Sequence, residues 1–413
     1  MVTPHETPLR LALLSMLLAS LAAFLFVPAG WSPSEDVDEL EDFPTGQVDD
    51  IVSFGGTGID TPLLVRPGVD GEAYVLFEAS GTCLLGPSDV NSKRAPQNLA
   101  RLGSDMRWVW SQKVGDKRPA AEVPTAMCEN GEQLWYAYMV RAGEKAGKQV
   151  DDICVEALDP KKNTVFSEKT GGPGQDRIFA MTRDGEGGAW LAGAISGTCG
   201  ISGAKFKGDG PSPFFARFDS KGARKLVSAI KADSDFEVTA VSADGKGGAW
   251  AVGWWSGVLE FGDINLPPVR GNTDIGWFLA HIDSKGKWVT AIPIECGEEG
   301  DVKSLDTAAD GSGVVGGSFR GTIKFGESVC PTEQPRAAFI ARFNSKGEWV
   351  VATEFEFANF TKVGGVCITS DGSIGMGLNC NEGESIRNRN FKPWVLLAAL
   401  TSELEEVCIM EVK

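Results

Sequence analysis

Five carboxylates, Asp60, Glu122, Asp176, Glu237 and Asp301, recur at intervals of roughly sixty residues, each a few positions before an Asp-Gly or Asn-Gly pair or the equivalent turn. Brought together, such acids form a ring of hard oxygens of the kind that holds Ca²⁺ or another cation. Two of them about 5 to 10 Å apart would serve glycoside cleavage. The competing reading is structural: an acid at the start of a strand accepts backbone N–H groups and fixes the incoming loop. Other chemistry is thinly provided. His5 and His281 are the only histidines, so neither a Ser-His-Asp triad nor a histidine-rich zinc site is available beyond one residue. His281 aligns with Arg217 and Arg342 and reads as a variable surface position on a strand flank. Trp254 and Trp255 are neighbours, so in a strand they point to opposite faces. They offer either a stacking platform for sugar or peptide, or packing between sheets.

The elements that would position these residues are written repeatedly. The phrase FLAHIDSKGKWVTA (278–291) has near copies FFARFDSKGARKLVSA (214–229) and FIARFNSKGEWVVA (339–352), with weaker ones at 100–110, 156–166 and 398–408. Phe278, Ala280 and Ile282 alternate with Leu279, His281 and Asp283, the period of a strand. Asp283 accepts from the turn backbone, and Gly286 closes a hairpin. A second phrase, turn then strand, precedes each copy, as in DGKGGAWAVGWWSG (244–257). Its aligned positions Phe77, Tyr138, Gly193, Gly253, Gly317 and Gly377 keep a regular interval. Each unit therefore holds four antiparallel strands, a to d, too small to bury its own apolar faces. The expectation is an all-β protein, a β-propeller of four-stranded blades. Six units are countable, about 57–112, 113–170, 171–230, 231–292, 293–353 and 354–413. The segment DDIVSFGG (49–56) resembles a fourth strand with its exit, and could close the ring as an extra outer strand. Six blades are expected, with seven as the alternative.

At residue level, unit 247–291 resembles the bacterial extracellular repeat known as the seven-bladed β-propeller repeat. The match rests on Gly253, Ser256, Gly257, Phe261, Gly262, Asp274, Phe278, Ala280, Asp283, Gly286 and Trp288, with His281 where that family usually has Lys or Arg. It covers about residues 50–413 and is sharpest in units 3 to 5. The resemblance implies a secreted propeller and assigns no reaction.

Composition agrees with a single large β domain at 49–413: 413 residues, 42% hydrophobic, 51 glycines. Arg10 precedes an uncharged run, LALLSMLLASLAAFLFV, and Val27-Pro28-Ala29 offers small residues for cleavage. Residues 1–29 read as a signal peptide or a retained N-terminal anchor, and either exports the body. Behind them lies an acidic linker (30–48), and the stretch 31–50 has eight carboxylates and no Lys or Arg. A net charge of −17 without a basic stripe argues against nucleic acid and against membrane contact by the propeller itself. Nine cysteines in an exported chain suggest disulfides with one thiol over, Cys296 with Cys330 being the first pair to test; the alternative is several buried free thiols.

In an up-and-down blade the a–b and c–d turns share one face, and the b–c and d–a connections share the other. The first set is tight. The second is long, as in GTCGISGAKFKGDGPSP (197–213), DINLPPVRGNTD (263–274) and GESVCPTEQPR (326–336), and binding residues tend to gather on such loops. Two functions follow. One is a non-enzymatic, exported propeller that binds or scaffolds a protein, glycan or cation through its long-loop face. The other is a carboxylate-dependent glycoside hydrolase or lyase acting at the propeller axis. No organic cofactor is expected, and Ca²⁺ is the one ion the acids suggest.

Overall fold

The computed structural model describes residues 55–412 with breaks at several connections, its side chains most fully between Ala126 and Glu356; residues 1–54 and 413 lie outside it. Among the described residues there are six four-stranded antiparallel units, each built from consecutive strands in the order a-b-c-d. Blade 1 consists of Asp60–Pro67, Ala73–Ala79, Gln97–Leu102 and Trp108–Lys113. Blade 2 consists of Pro124–Glu129, Leu134–Lys145, Lys148–Leu158 and Thr164–Thr170. Blade 3 runs Arg177–Arg183, Ala189–Ser196, Pro211–Phe218 and Arg224–Ala229; blade 4 Phe236–Ala243, Ala249–Trp255, Gly276–Ile282 and Trp288–Cys296. Blade 5 is Gly300–Thr307, Gly313–Phe319, Ala337–Phe343 and Trp349–Phe355, and blade 6 is Phe360–Ile368, Ile374–Cys380, Val395–Leu400 and Glu406–Val412. Successive blades pack face to face in chain order, which is the build of a β-propeller.

The middle strands are buried on both faces because each face meets a different neighbour. In blade 3, Ala189 and Leu191 join the core shared with blade 2, whereas Trp190 and Ala192 join the core shared with blade 4. The outer strand Trp288–Cys296 instead alternates between buried and exposed positions. Two irregularities recur in every blade. Strand a carries a β-bulge after Pro62, Pro124, Ile178, Val238, Val302 and Val363, and the c–d pair shifts register at Leu102, Leu158, Phe218, Ile282, Phe343 and Leu400. A bulge adds local twist and ends regular pairing. Its repetition marks it as part of the blade design.

The expected outer strand at the N-terminal end falls on residues 49–54, which lie outside the described residues. Glu406–Val412 pairs with Val395–Leu400 and completes blade 6 itself. Of the segment 49–56, the described part, Gly55–Gly56, pairs with Leu84 and Cys83 of blade 1. The segments Lys231–Ala232 and Glu295–Cys296, which leave blades 3 and 4, pair with the next blade in the same manner. Gly55–Gly56 thus make the pairing of a blade exit.

Blades are also locked at their turns. Trp190 Nε1–H donates to Gly247 O at 3.2 Å and Trp250 Nε1–H to Gly311 O at 3.1 Å, each into the a–b turn of the following blade. The c–d turn glycines receive the preceding blade: a methyl group on Gly286 would lie 2.4 Å from Leu226 Cδ2, and one on Gly222 1.9 Å from the Phe166 ring. Gly286 and Gly185 share a φ of 80°, yet a methyl on Gly185 would meet nothing within 4 Å. Gly185→Ala should therefore cost about 1 kcal/mol for the left-handed backbone alone. Gly286→Ala should cost roughly 2 to 4 kcal/mol, because Leu226 must also move. Chemical denaturation of the two variants gives the comparison.

Candidate functional site: the long-connection face

The tight-turn face is occupied by its own hydrogen bonds. Asp219 Oδ1 accepts from the N–H groups of Lys221 at 2.9 Å and Ala223 at 2.8 Å, and Asp283 Oδ1 from Lys285 and Lys287, both at 2.9 Å. Asp159 and Asn344 do the same in their turns. Asp184 and Asp244 use one oxygen for the a–b turn and the other for a strand-c partner: Arg217 Nε at 3.0 Å and His281 Nε2 at 2.9 Å. His281 is consequently no surface position. It is largely buried, stacked on Trp250 with ring centroids 4.3 Å apart at 13°. Burial opposes the charge of Asp244, but hydrogen bonds from His281 and from the N–H groups of Lys246 and Gly248 outweigh it and hold the carboxyl below its usual range. In blade 5 Ala308 takes the place of Asp244, as the matching turn bonds show.

The opposite face is built up. The b–c connections, read in sequence as long loops, contain small hairpins: Gly81–Leu84 with Val90–Ser92, Cys199–Ile201 with Ala204–Phe206, Leu259–Phe261 with Ile264–Leu266, Thr322–Phe325 with Ser328–Pro331, and Glu384–Ile386 with Arg389–Phe391. Three of them are extended by the exit segment of the chain before, making small sheets that bridge blades. Short turn signals inside these stretches, such as Gly262-Asp263 and Gly326-Glu327, mark the hairpins in the sequence.

The five acids do not share one register. Ile178 pairs with Gly193, Val238 with Gly253, and Val302 with Gly317, so Arg177, Glu237 and Asp301 are equivalent and Asp176 lies one residue earlier. Asp60 and Glu122 fall in the earlier register by the same pairing of Pro62 with Phe77 and Pro124 with Tyr138. A one-residue offset turns a side chain to the other face. Blades 3 and 4 have the same a–b turn, so the offset lies in the sequence itself: the acid stands eight residues before Asp184 in blade 3 and seven before Asp244 in blade 4. Glu237 is exposed, and Asp301 pairs with Lys303 at 3.1 Å. Glu122 and the side chain of Asp60 lie outside the described residues. Among those described, no three His, Cys, Asp or Glu side chains group as metal ligands.

Asp176 is the acid with a distinctive environment. It is buried, and its carboxylate accepts from Gly172 N–H at 2.7 Å and Ser196 N–H at 2.8 Å, joining the exit of blade 2 to strand b of blade 3. A methyl group on Gly171 would sit 2.0 Å from Asp152 Oδ1 and 2.7 Å from Asp176 Oδ2, so these two carboxylates face each other across the glycine. Lys169 Nζ lies 3.2 Å from Asp152. Burial pushes Asp176 up to about 6; the two N–H groups pull against that, and Asp152 and Asp151 add to it. Asp151 and Asp152 went unnoticed in the sequence because an Asp-Asp pair inside a strand carries no periodic signal.

Trp255 is buried, its Nε1–H donating to Pro267 O at 3.3 Å, and it belongs to the core between blades 3 and 4. Trp254 is half-buried against the core between blades 4 and 5 and stands opposite Trp277. Both contribute to packing between blades, Trp255 fully and Trp254 with part of its surface open. Cys154, Cys296 and Cys330 are free thiols. Cys296 and Cys330 both stand opposite Ile323, on the strands flanking it. Their Cα atoms are thus about 10 Å apart, two strand spacings, beyond the reach of a disulfide. Burial pushes the Cys330 thiol up to about 12, with Glu354 adding to the shift.

One break in the repeat was missed altogether. Where blades 3 to 5 place Ala216, Ala280 and Ala341 in the interface with the preceding blade, blade 2 places Glu156. Tyr136 and Tyr138 Oη–H, the latter at 3.0 Å, and Ser167 Oγ–H at 3.3 Å donate to its carboxylate. Convergent donors offset the desolvation of this half-buried carboxylate.

No family model matches the chain, and no curated protein matches it. Similar solved structures include the β-propeller domain of the trilobed protease from Pyrococcus furiosus, at 11% identity over 84% of this chain and 91% of that one, TM-score 0.41. A europium-containing methanol dehydrogenase is similar at 11% identity over 83% of this chain and 68% of that one, TM-score 0.39. The hemagglutinin-neuraminidase ectodomain of parainfluenza virus 5 is similar at 8% identity, over 87% and 81%, TM-score 0.40.

The Asp176 environment has a definite pH signature. Its folded value lies above that of an unfolded Asp, so the fold favours the protonated acid. Stability from this site is complete below about pH 4 and is lost as pH rises through about 6. Asp152→Asn removes the facing charge but not the burial that dominates the shift, so it should reduce, without abolishing, the decline between pH 5 and 7, read as melting temperature against pH.

Proposed function

We propose that the protein is an exported, non-enzymatic β-propeller that binds or scaffolds a protein or glycan through its long-connection face. The observation that carries this reading is the asymmetry of the two faces: on one, turn carboxylates are consumed by turn N–H groups; on the other, hairpins and exit segments build small bridging sheets. Rigid blades presenting elaborated connections are the usual arrangement of binding surfaces. The resemblance to the extracellular seven-bladed propeller repeat and the apolar run at 11–27 support export, through a signal peptide or an anchor. The reading takes 49–413 as one domain of six blades.

A second reading, a carboxylate-dependent glycoside hydrolase or lyase, is favoured by one observation, the facing pair Asp152 and Asp176 with the raised acid. Against it, Asp176 spends an oxygen on each of two backbone N–H groups. The test is a glycan and extracellular-protein binding screen with the full-length protein, product analysis included. The binding reading expects a ligand whose affinity falls at least tenfold when the Leu259–Leu266 hairpin is cut to a tight turn, and is unchanged by Lys285→Ala on the opposite face. Release of shortened glycan, abolished in Asp176→Asn, would replace it with the enzyme reading.

A further inference from the structure

The interface in front of blade 2 is filled unlike those in front of blades 4 and 5. There a cluster of three rings closes the outer rim. Phe261 of the b–c hairpin lies 5.2 Å from Phe278 on strand c and 4.7 Å from Trp288 on strand d, and Phe325 lies 5.0 Å from Phe339 and 4.9 Å from Trp349. In blade 2 the b–c strands continue as one ribbon, from Leu134 opposite Leu158 to Lys145 opposite Lys148, in place of a separate hairpin. Cys154 takes the register of Phe278, and Thr164 that of Trp288. Blade 2 thus supplies none of the three rings, and Thr164 is exposed.

Behind the rim, blade 2 carries polar groups where blade 4 is small and apolar. Tyr136, Tyr138 and Glu156 stand in the registers of Ala251, Gly253 and Ala280. The two phenol rings stack, 5.9 Å apart at 17°, and belong to the core shared with Tyr74 and Trp110 of blade 1. Glu156 is half-buried, beside exposed Ser167. Its Oε1 accepts from Tyr138 at 3.0 Å and Ser167 at 3.3 Å, with Cys154 Sγ at 4.0 Å, and its Oε2 accepts from Tyr136. Each oxygen offers two lone pairs, so Oε2 keeps one, while every donor is neutral. Among the described residues no Lys, Arg or His pairs with Glu156; Lys169, two residues along strand d from Ser167, is committed to Asp152 at 3.2 Å.

We propose that this rim site between blades 1 and 2 binds a primary alkylammonium group of the kind that ends a lysine side chain. The ammonium N–H donates to Glu156 Oε2, and the alkyl chain takes the place that Phe261 and Trp288 fill in blade 4. A half-buried carboxylate with only neutral donors gains from a cation that also hydrogen-bonds to it. A Ca²⁺ ion fits less well, because it takes six or more oxygen ligands and Oε1 is already spent on Tyr138 and Ser167. Glu156 lies two residues from Leu158, at the tight-turn end of the ladder. The site is therefore apart from the long-connection face, and its failure leaves the binding reading of that face untouched.

The test is calorimetric titration of the full-length protein with n-butylammonium at about 20 mM salt, where ion pairs are little screened, against 1-butanol as the uncharged chain of the same length. A one-site isotherm with a Kd of about 1 to 10 mM is expected, within reach of so small a ligand, and at least tenfold tighter than that of 1-butanol. Glu156→Gln should weaken it at least tenfold, and Thr164→Trp, which restores the strand d ring of blades 4 and 5, should abolish it. Thr164 stands at the exposed rim, so its variant carries the test if Glu156→Gln does not fold. Absence of saturation at about 50 mM, equal affinity for 1-butanol, or binding that survives either substitution overturns the proposal.

Discussion

Each blade is stabilised chiefly by the blade beside it, and the contact that sets their spacing is an indole placed against a turn. Trp250 stacks on His281 of its own blade, reaches past it to the Gly311 carbonyl of the next, and lies over Phe343 at 4.7 Å. Trp190 makes the equivalent reach to Gly247. Such a contact needs a fixed turn, which explains why so many turn acids serve the backbone: Asp244 shapes the loop that Trp190 must find, while holding the histidine on which Trp250 rests.

Along the inner strands a second set of ties runs between blades. Thr239 Oγ1–H donates to Val302 O at 2.7 Å, Ser304 Oγ accepts from Val366 N–H at 2.9 Å, and Asp306 Oδ2 accepts from Ile368 N–H at 2.8 Å. Burial drives the Asp306 carboxyl upward, and the N–H groups of Ile368 and Thr307 offset part of that cost. With the inner strands tied and the tight turns saturated, variation is left to the remaining face. That is where blade 2 grows a ribbon and where exit segments bridge to the next hairpin.

The fold was legible because its determinants are local and repeated. Alternation in FLAHIDSKGKWVTA marks a strand, Asp283 and Gly286 mark its turn, and both occupy those roles in the structure. The recurring Gly of strand b was legible as a position but not as a cause. In blades 3, 4 and 5 a methyl there would lie 2.8 Å from Phe214, Phe278 or Phe339 on strand c, and blade 2 exchanges the sizes, with Tyr138 opposite Cys154. The candidate site was much less legible. Counting back from Asp-Gly pairs mixes two registers, because neighbouring positions at the strand entry can each carry an acid and only the hydrogen-bonded ladder tells them apart. His281 looked variable because its partner Asp244 is 37 residues away in sequence, a contact that only the folded blade creates. Glu156 was hidden for the opposite reason: it sits in a degenerate unit, where a departure from the repeat has no sharp template to depart from.

The dependence of one blade on the next is tested most directly by a double-mutant cycle across blades 4 and 5. A methyl group on Gly347 would lie 2.9 Å from Trp250 Cη2 and 3.3 Å from Cζ3, atoms that phenylalanine lacks. Unfolding free energies of Gly347→Ala, Trp250→Phe and the double variant should show the glycine substitution costing at least about 1 kcal/mol less in the Trp250→Phe background than in the wild-type one. Additivity within about 0.5 kcal/mol would mean that turn and indole do not bear on each other, and would contradict the account.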